Sequence, residues 1–185
     1  ARSASTTSLE RLLSEHGRPT IWGQFDERSL AGLCYTSGTT GAPKGVAYTH
    51  RSNYLHTIRS LQADALALTA DDTILVAVPM FHANAWGLAH AAVAAGADLV
   101  MPGPDLSPAS LAKLIEGERV TVAAGVPTIW MGVLPELQGR DTSALRIIPC
   151  GGSAVPKALS EGFREQVGLP IFQAWGMTET SPVAT

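Results

Sequence analysis

The sequence lacks the charge pattern that marks nucleic-acid-binding proteins. No cluster of lysine and arginine occurs anywhere, and 13 basic residues face 16 acidic ones, which gives a formal net charge of -3. Proteins that bind nucleic acid draw most of their affinity from cationic contacts to phosphate. We therefore expect no nucleic-acid partner.

Paired cysteines and long hydrophobic runs are also missing. Cys34 and Cys150 form no CxxC pair and sit in or at the end of apolar runs, which predicts buried free thiols rather than a disulfide. The N-terminus, ARSASTTSLERLLSEHG, has no apolar core of a signal peptide. The most membrane-like segment, 85–101, is broken by His90 and Asp98. We expect a soluble cytoplasmic protein without a transmembrane segment.

Two questions about partners stay open at this point. Peripheral membrane contact is one of them, since no amphipathic basic helix indicates it. The oligomeric state has no signal in the sequence.

What is present is an alternation of apolar runs and helical patterns in a chain that is 45% apolar and 16% charged. Strand-like runs lie at 30–36, 45–50, 73–79, 98–102, 120–126, 145–150 and 169–175. Helical patterns lie at 51–66, 85–95, 107–116, from Pro127 onward and at 156–167. Strands without alternating polarity are covered on both faces, so we predict an α/β fold with a mostly parallel sheet and helices on both faces.

The most polar run, TSGTTGAPKG (36–45), lies between the first two predicted strands. A flexible surface turn is the simplest interpretation. However, a Gly/Ser/Thr loop after an apolar strand can wrap an anion with backbone N–H groups, hydroxyls and a lysine. It is not a Walker A loop, because Lys44 follows Pro43 and leads into a strand instead of a helix.

This run resembles the [ST]SG[ST][ST]GxPKG signature of the adenylate-forming superfamily, which includes acyl-CoA synthetases, luciferases and the adenylation domains of peptide synthetases. Every signature position matches, through Thr36, Ser37, Gly38, Thr39, Thr40, Gly41, Pro43, Lys44 and Gly45. In that family the loop holds the β- and γ-phosphates of ATP. The resemblance therefore implies that residues 36–41 and Lys44 bind ATP.

A second run, PMFHANAWG (79–87), follows the strand predicted at 73–79. By itself, His82 would be a satisfied polar residue and Trp86 a core residue. The run resembles the PMFHxxAWG stretch of medium- and long-chain fatty acyl-CoA synthetases, which implies a catalytic His82 near the reacting carboxylate and a Trp86 that lines or gates the acyl tunnel. Amino-acid-activating relatives typically carry Asp where His82 stands, so the pocket suits a fatty or aryl acid.

The turn PCGGSAVP (149–156) follows the strand predicted at 145–150, where two glycines permit a close backbone approach. A tight turn between a strand and a helix needs no further function. In the resembled family this turn borders the adenine of ATP, which implies that Gly151, Gly152 and Ser153 contact the nucleotide.

The last run, QAWGMTETSP (173–182), resembles the family's [YW]G[ML]TE motif. Without that context, the Thr-Glu pair would be a solvated helix cap. The resemblance implies that Trp175 packs on adenine, that Gly176 and Met177 shape the same wall, that Thr178 contacts the α-phosphate, and that Glu179 binds Mg²⁺.

Taken over residues 26–185, the resemblance implies ATP-dependent activation of a fatty acid to an acyl-adenylate and transfer to coenzyme A. ATP, Mg²⁺ and coenzyme A are the implied cofactor set. We predict an N-terminal helix and linker over 1–25 and part of an ATP- and acyl-binding domain over 26–185. Members of the family are longer and carry an aspartate for the ribose and a C-terminal lysine, so we expect this stretch to be inactive alone.

Three alternatives stay open. The parent could be another adenylate former, such as an aryl-acid ligase or a luciferase-like oxygenase. It could be a pseudo-enzyme that keeps only nucleotide binding, although Lys44, Thr178 and Glu179 are intact. A P-loop kinase is the most distant alternative, because the spacing of the lysine is wrong.

Overall fold

The computed structural model describes residues 9–18, 23–37 and 41–183. Its strands are β1 (Leu30–Thr36), β2 (Lys44–Thr49), β3 (Thr73–Val76), β4 (Asp98–Val100), β5 (Val122–Ala124), β6 (Pro149–Cys150) and β7 (Phe172–Gln173). Its helices are α1 (Leu9–His16), α2 (His50–Leu61), α3 (Ala83–Trp86, a single left-handed turn), α4 (Leu88–Ala95), α5 (Pro108–Gly117), α6 (Pro127–Glu136) and α7 (Lys157–Gln166). A 3₁₀ turn covers Thr178–Thr180.

Five strands form one parallel layer. β3 pairs with β4 on one side and with β5 on the other, and β6 pairs with β7, all in parallel. The parallel bridges Val122–Ile147 and Gly125–Cys150 join β5 to the β6–β7 pair. The order β4-β3-β5-β6-β7 confirms the predicted mostly parallel sheet.

Helices cover both faces of this sheet, as the unbroken apolar runs predicted. Successive residues of a strand point to opposite faces, so Ile74 and Val76 pack with α4, whereas Leu75 packs with α5, α6 and α7. Trp130 and Phe163 meet edge to face in the second of these clusters, with ring centroids 6.2 Å apart.

The sheet has a switch point beside β3. From β3 the chain passes to β4 at one side, and it then crosses to β5 at the other side. In open α/β sheets the crevice outside the carboxyl ends of the strands at such a point is where ligands bind. We therefore expect a ligand site at the carboxyl edge of this sheet.

The first two strands form a separate antiparallel hairpin. Thr36 lies opposite Lys44 in its register, so the TSGTTGAPKG loop closes this hairpin. Helix α2 follows at once, because the Thr49 hydroxyl accepts from the Ser52 N–H while the Ser52 hydroxyl accepts from the Thr49 N–H.

Several predicted bounds were wrong. The helix predicted at 51–66 ends at Leu61, because Gln62 is extended, and Leu55 and Ile58 stay exposed. The strand predicted at 145–150 is confined to Pro149–Cys150, because Pro149 has no N–H to donate to the hydrogen-bond ladder of the sheet. The helix predicted at 85–95 begins only at Leu88.

The prediction of buried free thiols is confirmed. Both cysteines are buried, and burial raises the pKa of Cys150 to about 12. Helix α1 falls inside the predicted N-terminal segment, while the division of the chain at 25 stays a prediction. In the described ranges, the helices are too short or too polar to cross a membrane.

An ion pair between the buried Asp72 and the exposed Arg146 joins the segments that precede the strands at the opposite edge of the sheet. Asp72 is 4% exposed and accepts from Arg146 at 2.8 and 2.7 Å. It also accepts from the Thr121 hydroxyl at 2.6 Å and the Thr69 N–H at 2.9 Å. Burial alone would raise the pKa of this carboxyl, but the hydrogen bonds outweigh it and hold the pKa at about 2.

This depressed pKa predicts a pH-dependent contribution to stability. The folded pKa of about 2 lies below the ordinary unfolded value, so the contribution is present above that value and is lost as pH falls toward 2. We expect Asp72→Asn to lower the free energy of unfolding by about 2 kcal/mol at pH 6. In urea unfolding, this gap between wild type and variant should shrink from pH 5 to pH 2. Asp71→Asn, at the exposed neighbouring residue, is the control. A difference in unfolding free energy between wild type and Asp72→Asn that stays constant with pH would contradict the assignment.

Candidate active site

A cavity of about 480 Å³ opens at the carboxyl edge of the sheet, under the β1–β2 hairpin. Its walls come from the ends of β1 and β2 and from the segments after β3, β6 and β7. The lining residues are Thr36, Ser37, Lys44, His82, Ala83, Trp86, Gly151, Gly152, Ala174, Trp175, Gly176, Met177, Thr178, Glu179, Pro182 and Val183.

The cavity brings together residues that the four sequence runs singled out separately. Gly41 and Ser153, although predicted to contact nucleotide, do not line it. Gly38, Thr39 and Thr40 lie outside the described residues. Four lining residues were not predicted from the sequence, and all lie in or next to the predicted motifs: Ala83, Ala174, Pro182 and Val183.

The segment that carries His82 and Trp86 has an unusual backbone. Residues 83–86 all have φ between 48° and 56°, and Gly87 follows at 72°. A left-handed turn costs non-glycine residues roughly 1–2 kcal/mol each, so it persists only where its surroundings enforce it. Here Ala85 and Trp86 are buried, and the Cys34 thiol donates to Asn84 Oδ1 at 3.5 Å. Because of this turn, His82 and Trp86 line one cavity, and α4 begins only at Leu88.

Gly87 itself must be a glycine for a second reason. A Cβ built there would lie 2.6 Å from His56 Nδ1. His56 is half-buried, and burial lowers its pKa, with a smaller contribution from His90. The left-handed turn therefore packs directly against α2.

Two further glycines allow the backbone to approach closely within the cavity wall. A Cβ at Gly151 would lie 2.9 Å from the Ala174 carbonyl oxygen, and one at Gly176 would lie 2.1 Å from the Pro182 carbonyl oxygen. Gly151 therefore allows the motif at 149–156 to contact the motif at 173–182, whereas Gly176 allows the second motif to fold back on itself.

Residues 176–183 form a closed turn, which we call the Thr178 turn. Gly176 and Val183 are bridged, the Met177 N–H donates to Pro182 at 3.0 Å, and the Thr180 hydroxyl donates to the carbonyls of Met177 and Pro182. These bonds bury Thr178 and leave Glu179 exposed on the cavity wall.

A residue that the sequence analysis missed links this turn to the hairpin. The Tyr48 hydroxyl donates to the Thr178 carbonyl oxygen at 2.5 Å, and the bond is buried. Burial, followed by the nearby Cys34 and Glu179, raises the pKa of Tyr48 to about 12. The alternation of GVAYT marks Tyr48 as an inward residue of β2, but nothing local indicates a partner 130 positions away.

The charged side chains on the cavity wall are Lys44 and Glu179. Within the described residues, no group of three His, Cys, Asp or Glu side chains could hold a metal ion. Mg²⁺ is usually held by one or two carboxylates, substrate phosphates and waters rather than by an all-protein cage. A single exposed carboxylate, Glu179, in a cavity that Lys44 also lines fits that mode.

A second cavity of about 370 Å³ adjoins the first. Trp86, Ala174 and Val183 line both, so the indole of Trp86 stands between them. The remaining lining residues are His56, Arg59, Ser60, Asp64, Ala65, Leu66, Leu88, Pro149 and Phe172.

Comparisons with known proteins agree with this geometry. The model of the AMP-binding enzyme family matches residues 4–185. A medium-chain-fatty-acid–CoA ligase of Ectopseudomonas oleovorans is 46% identical over 187 residues, covering 100% of this chain and 34% of that protein. A long-chain-fatty-acid–CoA ligase of Thermus thermophilus is 46% identical over 178 residues, covering 95% and 32%.

A solved structure is similar as well. The O-succinylbenzoate–coenzyme A synthetase of Bacillus subtilis, in complex with ATP and magnesium ion, superposes with a TM-score of 0.75 at 35% identity over 84% of this chain and 32% of that one. The chain thus spans about a third of the length of the relatives it matches. The family model matches almost the whole length of the chain, and the four sequence motifs line one cavity. The chain belongs to the AMP-binding enzyme family.

Proposed function

We propose that the protein carrying this chain is an AMP-forming acyl-CoA synthetase that activates a fatty acid with ATP and transfers it to coenzyme A. The observation that carries the proposal is the single cavity lined by Lys44, His82, Thr178 and Glu179, which come from separate parts of the chain. We propose further that residues 26–185 form part of its ATP- and acid-binding domain.

In the first step a carboxylate oxygen of the acid attacks the α-phosphorus of ATP. The bond between that phosphorus and the bridging oxygen breaks, and pyrophosphate leaves with the electron pair. Two anions must approach each other, so donors and a cation fixed in advance give the largest benefit. Lys44, Thr36 and Ser37 face the departing pyrophosphate, and Thr178 faces the α-phosphate.

Other residues of the same cavity bind Mg²⁺ and the adenine of ATP in this proposal. Mg²⁺, held by Glu179 together with the phosphates, supplies charge neutralisation when bound. The exposed face of Trp175 stacks on adenine, with Gly151, Gly152 and Met177 along the same wall. Ser153, which does not line the cavity, has no part in this proposal.

In the second step the sulfur of coenzyme A attacks the acyl carbon. The bond from that carbon to the phosphate oxygen breaks, AMP leaves, and the thiol proton passes to solvent. His82 lies at the cavity wall beside the left-handed turn, where the carboxylate and later the mixed anhydride would sit. Both steps also gain from holding the two reactants at one place.

The second cavity suits the tail of the acid. Leu66, Leu88 and Phe172 give it apolar walls, and Trp86 separates it from the cavity that holds His82. We propose that the acyl chain runs past Trp86 into this space, so that the indole limits which chains enter. At the position where amino-acid-activating relatives typically carry Asp, the wall of the first cavity presents His82, which suits an acid without an ammonium group.

ATP–pyrophosphate exchange with a panel of carboxylic acids tests the proposed first step in the full-length protein. We expect exchange with aliphatic acids, and a loss of about a hundredfold in Lys44→Ala and in Glu179→Gln, because each removes a group aimed at developing or bound charge. Lys113→Ala and Glu165→Gln, on exposed faces of α5 and α7, should leave the rate unchanged. No exchange with any acid would indicate a nucleotide-binding pseudo-enzyme instead, and exchange only with aryl acids would indicate an aryl-acid ligase.

The role of Trp86 is tested by the profile of rate against acid chain length. Trp86→Ala should join the two cavities and raise kcat/KM for longer acids over shorter ones by roughly tenfold. Trp86→Phe, which keeps a smaller ring, should give an intermediate profile, and thermal unfolding checks that both variants fold. A chain-length profile identical to that of wild type in both variants would contradict the proposal.

A further inference from the structure

The hairpin that carries the TSGTTGAPKG loop has one buried face. Cys34 and Tyr48 are 5% and 3% exposed, whereas the neighbouring Leu33 and Tyr35 are 51% and 65% exposed. In the register of the hairpin, Cys34 lies opposite Val46 and Tyr48 opposite Gly32, so the two buried side chains are diagonal neighbours. This face rests on the carboxyl edge of the sheet.

Each buried side chain of this face contacts a different segment of the candidate site. The Tyr48 hydroxyl donates to the Thr178 carbonyl oxygen at 2.5 Å. The Cys34 thiol donates to Asn84 Oδ1 at 3.5 Å, within the left-handed turn between His82 and Trp86. The hairpin thus contacts the segment proposed for the nucleotide and the segment proposed for the acid.

The bond from Tyr48 has no substitute in the part of the chain that is described. Every other hydrogen bond there that involves the Thr178 turn, residues 176–183, stays inside the turn. These bonds fix the shape of the turn but not its place relative to the hairpin. Only three residues of β2 lie between Lys44 and Tyr48, so one strand connects the lysine to the carbonyl that precedes Glu179.

We propose that Tyr48 is a positioning residue, which through the Thr178 carbonyl holds Glu179 at a fixed place relative to Lys44. The inference rests on the proposed function, because that function assigns Lys44 to the phosphates and Glu179 to the metal in one site. A buried hydroxyl that stays protonated is a permanent donor for this purpose, and a phenylalanine would fill the same space without the bond.

The test is Tyr48→Phe in the full-length protein, assayed by ATP–pyrophosphate exchange well below the unfolding temperature. We expect kcat to fall roughly five- to tenfold. The Mg²⁺ concentration at half-maximal rate should rise, and KM for the acid should stay within about twofold, because the bond touches the nucleotide side alone. Tyr54→Phe, at a tyrosine that is 64% exposed on α2, is the matched control and should behave as wild type.

A double-mutant cycle separates positioning from simple stabilisation. If Tyr48 acts through Glu179, then Tyr48→Phe should have little further effect on kcat in the Glu179→Gln background. Full additivity, or a Tyr48→Phe enzyme that loses thermal stability yet keeps the kcat and Mg²⁺ dependence of wild type, would overturn the inference. Absence of exchange in the wild-type protein would overturn the proposed function and the inference with it, whereas exchange in wild type with no effect of Tyr48→Phe overturns the inference alone.

Discussion

The parallel pairing of the strands is the constraint on which the candidate site depends. Because β3, β6 and β7 run in the same direction, the chain leaves the sheet at one edge after each of them. The three segments that follow hold His82, Gly151 and Glu179, which are far apart in sequence and line one cavity. An antiparallel strand at any of these places would send its segment to the opposite edge.

The two edges of the sheet use their polar groups in opposite ways. At the amino edge, Asp72 is surrounded by donors, and its low pKa reports a carboxylate that is satisfied within the fold. At the carboxyl edge, Lys44 and Glu179 line an open cavity, and the backbone between His82 and Gly87 adopts a costly left-handed turn. The carboxylate at the amino edge is thus satisfied within the fold, whereas Lys44 and Glu179 at the carboxyl edge are available to a ligand.

Much of this arrangement could be predicted from the sequence, and what could not be predicted is long-range. Unbroken apolar runs such as TILVAVP indicated buried parallel strands, and the signature at 36–45 indicated the family. The left-handed turn at 83–86 has no local signal, because alanines favour a right-handed helix. The burial of this turn and the bond from Cys34 to Asn84 arise only when the chain folds. The bond from Tyr48 to Thr178 and the second cavity behind Trp86 depend on residues that meet only after folding.

The proposed function requires that this stretch of chain assembles the nucleotide side of the site. The most direct test is thermal unfolding of the 185-residue chain with a non-hydrolysable acyl-adenylate analogue and Mg²⁺, alongside Thr178→Ala and Glu179→Ala. At a hundred times its dissociation constant, the analogue should stabilise the wild-type fold by about 2.7 kcal/mol, and the two variants should lose most of this gain. A wild-type chain that gains no stability, or variants stabilised as strongly as wild type, would contradict the claim.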